Sequence, residues 1–308
     1  MPGITVSVQA EPRDLDSWLV LARRLESAGF RGLLMGDHPG SGASPWPALG
    51  SAAAVTQTLK LGTYVAQAGV REPMHVAAEA ASLDVLAPGR VLLGIGAGHT
   101  PQEWEDIGRS RPAPRDRAGR LAEFVEAVAR LLKGDLVTLD GSYLVLRGSR
   151  LDGLPVGASR VGLVVGGGHP QVLRTAARRA DVVGLSGLGR TLPDGHHHEV
   201  RWSAEDLGAQ LQIIAAEARA AARAPVLEAL VQIVRVTPDR AASIEEISGR
   251  IPGMSAQDAA RTPFLLIGTY DQMAAQLRAQ AEELGISSYV VREPAVPDIE
   301  RVLARLRK

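Results

Sequence analysis

Two adjacent residues at the end of an apolar segment offer the most direct acid–base chemistry in this sequence. Asp37 and His38 follow the segment GLLMG, which begins at residue 32. A histidine with an ordinary pKa of about 6.5 gains or loses a proton near neutral pH, and a neighbouring carboxylate can orient its ring. The pair therefore predicts a proton donor or acceptor. The alternative is a structural aspartate that caps a loop beside a bystander histidine.

A run of three glycines, Gly166–Gly168, separates an apolar segment from a helix-like segment that begins after His169. Glycine allows a ligand to approach the backbone closely. Free N–H groups at the positive end of a helix dipole bind phosphate. These residues predict a phosphate site, and tight turns are the alternative explanation. The segment Gly94–Gly98 resembles part of a dinucleotide-binding motif, but neither the helix nor the acidic residue that such a motif requires follows it.

The histidine run His196–His198, followed by Glu199, raises the question of a metal site. Adjacent residues rarely converge on one ion, and no second cluster supplies the remaining ligands. We therefore expect no metal, and a polar loop that contacts substrate or solvent. Four further carboxylates are candidates for acid–base pairs: Asp84, Glu103, Glu105 and Asp106. Asp84 lies inside a predicted helix, where a structural role is expected.

Composition excludes several kinds of chemistry and partner. The chain has no cysteine, which removes disulfides, thiolate nucleophiles and Cys-ligated metals. Its 34 basic and 34 acidic residues balance, so neither nucleic acid nor an anionic membrane is indicated as a partner. No apolar run is long enough to span a bilayer, and the first residues lack the pattern of a signal peptide. We therefore expect a cytoplasmic protein.

The elements that must position these residues alternate along the chain. Short apolar segments such as ITVSVQ (residues 4–9) and RVLLGIGAG (residues 90–98) are followed by longer segments with helical periodicity. Eight strands are predicted, most of them followed by a helix, which indicates a parallel α/β sheet and favours a closed (β/α)8 TIM barrel. A doubly wound open sheet is the alternative. In a barrel, the functional face lies at the carboxyl ends of the strands.

We predict one domain over residues 1–308, with several insertions. Asp140-Gly141 between alternating stretches indicates a hairpin inside the insertion at 134–159. Residues 226–237 read as one long seventh strand, and 190–202 as an irregular polar segment. The predicted insertions lie at about 96–113, 134–159, 186–202 and 238–262, the last as small helices or a lid.

Several segments together resemble the bacterial-luciferase-like flavin enzymes. SLDVLAPGRVLLGIGAG (residues 82–98) is similar to a characteristic helix-to-strand segment of that family. GLLMGDH, the hairpin segment GDLVTLDGSYLVL and the segment LLIGTYDQMAAQL match further family segments in the same order. The resemblance implies a TIM barrel rather than an open sheet. Residues 178–202 resemble the actinobacterial subgroup that uses the deazaflavin coenzyme F420, which implies an F420-dependent oxidoreductase.

The resemblance also implies roles for individual residues. His38 would be the general acid or base beside the deazaflavin ring, with Asp37 nearby. Val65 and Ala66 would back the ring, next to a non-proline cis peptide. The other implied cofactor contacts are Ala97, Gly98 and Thr100 at the ring edge, and Gly166, Gly167, Gly168 and His169 at the cofactor phosphate.

Some features depart from the family pattern and leave alternatives open. Ala97 stands close to the place where some relatives carry a catalytic glutamate, and His99 is the candidate substitute. A phosphorylated sugar is not expected as the substrate, because the basic cluster that such relatives use is not recognisable. The alternatives are an FMN-dependent monooxygenase that uses oxygen and a non-catalytic flavin-binding barrel. The family implies a small-molecule substrate and a homodimer, for which the Ala-rich helices at 47–57 and 72–86 are candidates.

Overall fold

Strands and helices alternate in the computed structural model, which describes residues 3–156, 161–192 and 198–307. The strands are β1 (Thr5–Gln9), β2 (Gly32–Met35), β3 (Lys60–Gln67), β4 (Val91–Gly96), β5 (Val137–Asp140), β6 (Val145–Ser149), β7 (Gly162–Gly166), β8 (Val182–Leu185), β9 (Leu188–Thr191), β10 (His198–Val200), β11 (Val226–Leu230), β12 (Ile233–Val236), β13 (Leu265–Gly268) and β14 (Ile286–Arg292). The helices are α1 (Leu15–Ala28), α2 (Pro45–Ala53), α3 (Pro73–Leu86), α4 (Pro101–Glu105), α5 (Pro114–Leu132), α6 (Pro170–Arg179), α7 (Ala204–Ala220), α8 (Arg240–Gly249), α9 (Ala256–Arg261), α10 (Tyr270–Leu284) and α11 (Val296–Leu306).

Eight parallel strands form a closed barrel in the order β1-β14-β11-β8-β7-β4-β3-β2. β1 closes the ring by pairing with β14, so that Thr5 lies opposite Ser288. The strands read as nearly continuous apolar runs, as expected where helices cover the outside of a parallel sheet and side chains fill the inside. All six residues of β4 are buried. The predicted α/β fold, a single (β/α)8 TIM barrel, is confirmed.

The helices form because their ends and faces suit the barrel surface. α10 begins with a capping box in which Thr269 and Gln272 exchange hydrogen bonds, and it ends at Gly285 in the left-handed region. α5 buries one face, including Phe124, against the barrel. Within the described residues, no helix is both long and apolar enough to cross a membrane.

The insertions contain more regular structure than the sequence predicts. The predicted hairpin is present as β5 and β6. The prediction of one long seventh strand is wrong: β11 ends at Leu230, and β12 pairs with β13 in a separate two-stranded sheet. The backbone N–H groups of Gln232 and Ile233 donate to Phe264 O, which draws the chain out of the barrel. The segment 190–202, predicted to be irregular, contributes to the antiparallel pair β9–β10.

Substituting Gly62 tests the close contact between β3 and β4. A Cβ atom at this position would lie 1.7 Å from Leu92 O, a backbone atom that cannot move aside alone. We expect Gly62→Ala to lower the free energy of unfolding by about 3 kcal/mol or more, measured by urea denaturation. Gly208→Ala in α7 is the control, because a Cβ there meets nothing within 4 Å, and the gain in helix propensity predicts about 0.5–1 kcal/mol of stabilisation. Equal stability of the two variants would contradict this account.

Candidate active site

A cavity of about 870 Å³ opens at the carboxyl ends of the barrel strands. Its size is within the range of small-molecule sites. The predicted site residues that line it are Asp37, His38, Val65, Ala97, Gly98, Gly166, Gly167, Gly168 and His169. Ala66 is fully buried in the core, and Thr100 precedes α4; neither is among the lining residues. The carboxyl ends of β2, β3, β4 and β7 therefore meet at one site, as the barrel topology requires.

His38 is held by a buried carboxylate that comes from α4. Its Nδ1 lies 2.7 Å from Oε1 of Glu103, which is 3 % exposed, whereas the His38 side chain is 36 % exposed. The other Glu103 oxygen accepts a short hydrogen bond from the Gln67 side-chain amide. The hydrogen bond to Glu103 raises the pKa of His38 and outweighs the opposing effect of burial. His38 is thus oriented through Nδ1, and its charged form is stabilised.

The role of Glu103 is the main feature that sequence reasoning missed. Glu103 is among the predicted carboxylate candidates, but nothing in the spacing connects it to a histidine 65 residues away. The local signal is the Thr100-Pro101 start of a five-residue helix, since proline at the first position favours helix initiation directly after β4. Burial of Glu103 and Trp104 on this helix brings the carboxylate beneath His38.

Two further histidines lie next to His38. The His99 ring is 5.8 Å from the His38 ring and 4.9 Å from the His198 ring, centroid to centroid. Burial, with repulsion from His198 and His38, lowers the pKa of His99 to about 4. His99 is therefore neutral at neutral pH. Residues 196 and 197 of the predicted polar loop lie outside the described residues, and within the described chain no group of three or more His, Asp or Glu residues is arranged to hold a metal.

Asp37 makes a buried ion pair at the end of β2. Its two oxygens accept hydrogen bonds from Arg71, at 2.7 Å from Nη2 and 3.1 Å from Nε. These hydrogen bonds raise the pKa of Arg71 above its usual value. The Gln67 backbone N–H also points at Asp37, at 3.4 Å. The carboxylate of Asp37 therefore ties β2 to β3 and to the segment before α3, and its predicted position beside a cofactor ring stays a prediction.

The glycine run lies at the opposite side of the cavity, at the start of α6. His169 is the N-cap residue, and its Nδ1 accepts a hydrogen bond from the Gln171 N–H at 3.2 Å. Gly167 has φ +146°, a conformation that other residues rarely adopt. A Cβ atom on Gly168 would come within 3.2 Å of Leu188 O. The backbone thus carries no side chains at the position where a ligand would approach it.

Arginine side chains surround this end of the cavity. The lining includes Arg111, Arg117 and Arg201. Burial and the nearby charge of Arg111 lower the pKa of Arg117 to about 10. Burial, with Arg117, Arg174 and Arg201, also lowers the pKa of His169. The Arg111 Nε–H is buried and has no acceptor among residues 3–156, 161–192 and 198–307. This end of the cavity therefore combines several positive charges with a buried charged donor that has no acceptor in the described residues.

Val65 lines the cavity near the carboxyl end of β3. A non-proline cis peptide joins Tyr64 to Val65, next to the position at which the family resemblance implies one. The Gln9 side-chain amide donates to Tyr64 O at 2.8 Å, and Arg292 donates to Gln9 Oε1 at 3.2 Å. Gly96 lies so close beneath Val65 that a Cβ there would be 2.5 Å from Val65 Cγ2. The side chain of Val65 is thereby fixed at the cavity surface.

One cavity at the carboxyl ends of a parallel (β/α)8 barrel thus contains a glycine turn and a histidine–carboxylate pair. The sequence model of the family described as luciferase-like monooxygenase matches residues 2–288. The chain belongs to this family.

Curated relatives include two different activities. An F420-dependent glucose-6-phosphate dehydrogenase from Beutenbergia cavernae is 36 % identical over 197 residues, which cover 60 % of this chain and 56 % of the relative. A 4-hydroxyprotoasukamycin monooxygenase from Streptomyces nodosus subsp. asukaensis is 36 % identical over 163 residues, covering 48 % of this chain and 43 % of the relative. The chain thus spans about half the length of the curated relatives it matches.

Solved structures show the same fold over the whole chain. An F420-dependent secondary alcohol dehydrogenase in complex with an F420-acetone adduct has a TM-score of 0.75 at 20 % identity, covering 99 % of this chain and 98 % of that one. A riboflavin lyase with modified FMN and riboflavin has a TM-score of 0.76 at 16 % identity, covering 99 % of this chain and 91 % of that one. At these identities the likeness describes the fold alone.

Removing the Glu103 charge should lower the pKa of His38. Glu103→Gln removes the main cause of the raised pKa of His38. We expect the pKa of His38 to fall to or below the ordinary histidine value, and NMR titration of the His38 ring measures it. Glu105→Gln, an exposed position on the same helix, should leave it unchanged.

The same change alters the pH dependence of stability. A raised folded-state pKa contributes stability that is fully present below the unfolded-state value of about 6.5 and is lost as pH rises through the folded-state pKa. The stability gap between wild type and Glu103→Gln should therefore be wider at pH 5 than at pH 9. A His38 pKa that does not move in Glu103→Gln would contradict the assignment.

Breaking the Asp37–Arg71 ion pair should lower the stability of the protein. Asp37→Asn leaves the Arg71 cation, which is only 28 % exposed, without its carboxylate, and we expect a loss of about 2 kcal/mol in the free energy of unfolding. Glu300→Gln breaks the more exposed pair with Arg24 and should cost less than about 1 kcal/mol. Chemical denaturation of both variants measures the difference, and a smaller loss in Asp37→Asn than in the control would refute it.

Proposed function

We propose that this protein is an oxidoreductase that binds the deazaflavin coenzyme F420 and transfers a hydride between its ring and a small organic substrate. One observation carries the proposal: a single cavity joins the arginine-lined glycine turn at α6 to the Glu103–His38 pair. The first feature suits the phosphate of a bound cofactor, and the second suits proton exchange with a substrate. The F420-dependent relatives, matched over about half their length, support this choice of cofactor.

The residues at the glycine turn fit a cofactor phosphate. Gly167 and Gly168 present a backbone without side chains at the start of α6, where the helix dipole favours an anion. The buried, unpartnered Arg111 Nε–H supplies a charged donor that lacks an acceptor in the described residues. Arg117 and Arg201 add positive charge beside His169. When bound, the deazaflavin ring supplies the two-electron hydride chemistry that the protein side chains lack.

His38 would move the proton that accompanies the hydride. Its Nδ1 is engaged by Glu103, so Nε2 is the ring nitrogen left to exchange a proton with a substrate in the cavity. In the direction of alcohol oxidation, Nε2 of neutral His38 accepts the hydroxyl proton, and Glu103 stabilises the imidazolium that forms. In the direction of carbonyl reduction, the same atom donates the proton.

The neighbouring groups would position the substrate and exclude competing proton transfers. His99 stays neutral at working pH and can donate or accept one hydrogen bond near His38 without adding charge. Val65 offers an apolar surface in the lining of the same cavity. These features favour a substrate with a hydroxyl or carbonyl group as the reacting function.

We further propose a homodimer formed through the early helices. The α3 helix leaves Val85 and Leu86 exposed at its end, at 49 % and 64 % of their surface. Gly50 of α2 lies near Leu86, so these residues form one small apolar surface. Pairing of two such surfaces would bury it.

The alternative is an FMN-dependent monooxygenase that uses oxygen. The matched monooxygenase from Streptomyces favours it, and a flavin phosphate would suit the same glycine turn. A non-catalytic flavin-binding barrel is the second alternative, and it predicts that His38 variants retain full function.

Parallel titrations with F420, its reduced form and FMN test the proposal. We expect tighter binding of F420 than of FMN by the full chain, measured by tryptophan quenching. Arg201→Gln should weaken F420 binding about tenfold, because a hydrogen bond to a charged group contributes about 1.5–3 kcal/mol. Arg219→Gln, an exposed arginine of α7 away from the cavity, is the matched control.

Catalysis is tested separately from binding. With a panel of small alcohols, His38→Gln should retain F420 affinity and lose at least about a hundredfold in kcat, since positioned acid–base groups typically contribute that much. Preference for FMN would move the protein to the oxygen-using alternative. Binding of neither cofactor would overturn the proposal.

A further inference from the structure

A second cavity lies on the outer side of the barrel, between α7 and α10. Its volume is about 660 Å³, within the range of small-molecule sites. Arg261 and Thr262, at the end of α9, line one end of the cavity. The apolar residues of its lining are Trp202, Ala204, Leu207, Leu211, Ala260, Ala275, Ala279 and Leu284. Among the residues that the structure describes, it shares no lining residue with the cavity at the strand ends.

One wall of this side cavity carries a cation without a counter-ion. Arg240, the first residue of α8, lines the cavity and is half-buried. Its Nε donates to Ile267 O at 3.0 Å. Its Nη2 donates to Ala260 O at 2.7 Å and to Gln276 Oε1 at 3.4 Å. These bonds orient the guanidinium but do not neutralise it, and no carboxylate of the described residues forms an ion pair with it. A half-buried charge that lacks a partner creates a preference for an anion.

A buried hydroxyl in the same cavity also lacks a partner. Thr262 is 3 % exposed, and its Oγ1 makes no hydrogen bond to any described part of the chain. The nearby amides of Gln276 and Gln280 already donate to Thr262 O, at 3.3 Å and 3.1 Å. An unsatisfied buried hydroxyl is uncommon in folded proteins. A ligand oxygen would satisfy it.

The acidic residues of the cavity are engaged elsewhere. Asp258 accepts hydrogen bonds from the Ala204 N–H at 2.9 Å and from Ser255 at 2.7 Å. Glu283 lies 3.8 Å from Arg261. These contacts orient both carboxylates toward other groups, and neither forms an ion pair with Arg240.

We propose that this side cavity is a binding site for a small organic anion, a carboxylate with an apolar chain. Its carboxylate would lie at Arg240 with one oxygen accepting from Thr262 Oγ1, and its chain would contact the leucine and alanine side chains of α7 and α10. The inference does not depend on the function proposed for the strand-end cavity.

Hexanoate is the probe, titrated into the full chain by isothermal titration calorimetry. We expect one saturable site, with 1-hexanol binding at least tenfold more weakly because it lacks the charge. Arg240→Gln should reduce hexanoate affinity at least tenfold. Arg240 also donates to two backbone carbonyls, so its substitution could affect folding as well as ligand binding. A second variant distinguishes the two effects.

Gly208→Phe provides that second variant. Gly208 lines the cavity from α7, and a Cβ there meets nothing within 4 Å, so phenylalanine fills the space without a backbone clash. It should abolish hexanoate binding, whereas Gly249→Phe, at an equally open glycine of α8 outside the cavity, should leave it intact. Equal affinity for hexanoate and 1-hexanol would overturn the proposal, as would unchanged binding in Gly208→Phe. Loss of a dimer in Gly208→Phe, measured by sedimentation, would assign the cavity to a second copy of the chain and equally overturn it.

Discussion

The close contact between β3 and β4 is the constraint on which the architecture of the site depends. A Cβ atom would clash with backbone at Gly62, 1.7 Å from Leu92 O, and at Gly94, 2.2 Å from Thr63 O. Only glycine at both positions lets the two strands approach to this distance. Beyond that contact the register shifts between Thr63 and Ala66, and the ends of β3 and β4 then present Gln67 and the Gly96–Gly98 turn side by side. The contact inside the barrel thus sets which side chains meet at its rim.

The cavity at the carboxyl ends of the strands contains two kinds of electrostatic environment. On the β2–β3 side, the buried carboxylates of Asp37 and Glu103 stabilise the positive charges of Arg71 and His38. On the β7–β8 side, Arg117 and Arg201 lie near His169, and the described residues that line this side include no carboxylate. A ligand with an anionic end and a neutral reacting end therefore has one favoured orientation across the cavity. In the proposed function, this polarity of the cavity would place proton transfer at one end and anion binding at the other.

Sequence reasoning predicts the features that are encoded locally and misses those that arise from distant contacts. The alternation of apolar and amphipathic segments is local. It predicts the eight barrel strands, the hairpin at Asp140-Gly141, and the positions of Asp37, His38 and the glycine run. The partner of His38 does not, because Glu103 reaches it only after α4 folds over the end of β4. The same holds for Arg111 and Arg201, which lie 90 residues apart in sequence. The break between β11 and β12 depends on Phe264 O, far along the chain.

The histidines at the rim show why residue type alone does not assign a chemical role. His38 and His99 have the same side chain, and their rings are 5.8 Å apart. A hydrogen bond to the buried Glu103 carboxylate raises the pKa of His38. Burial without such a carboxylate bond lowers the pKa of His99 to about 4. The charged form of His38 is therefore stabilised, whereas His99 is neutral at neutral pH and can only donate or accept a hydrogen bond. The placement of one carboxylate on a five-residue helix therefore divides the two roles between neighbouring histidines.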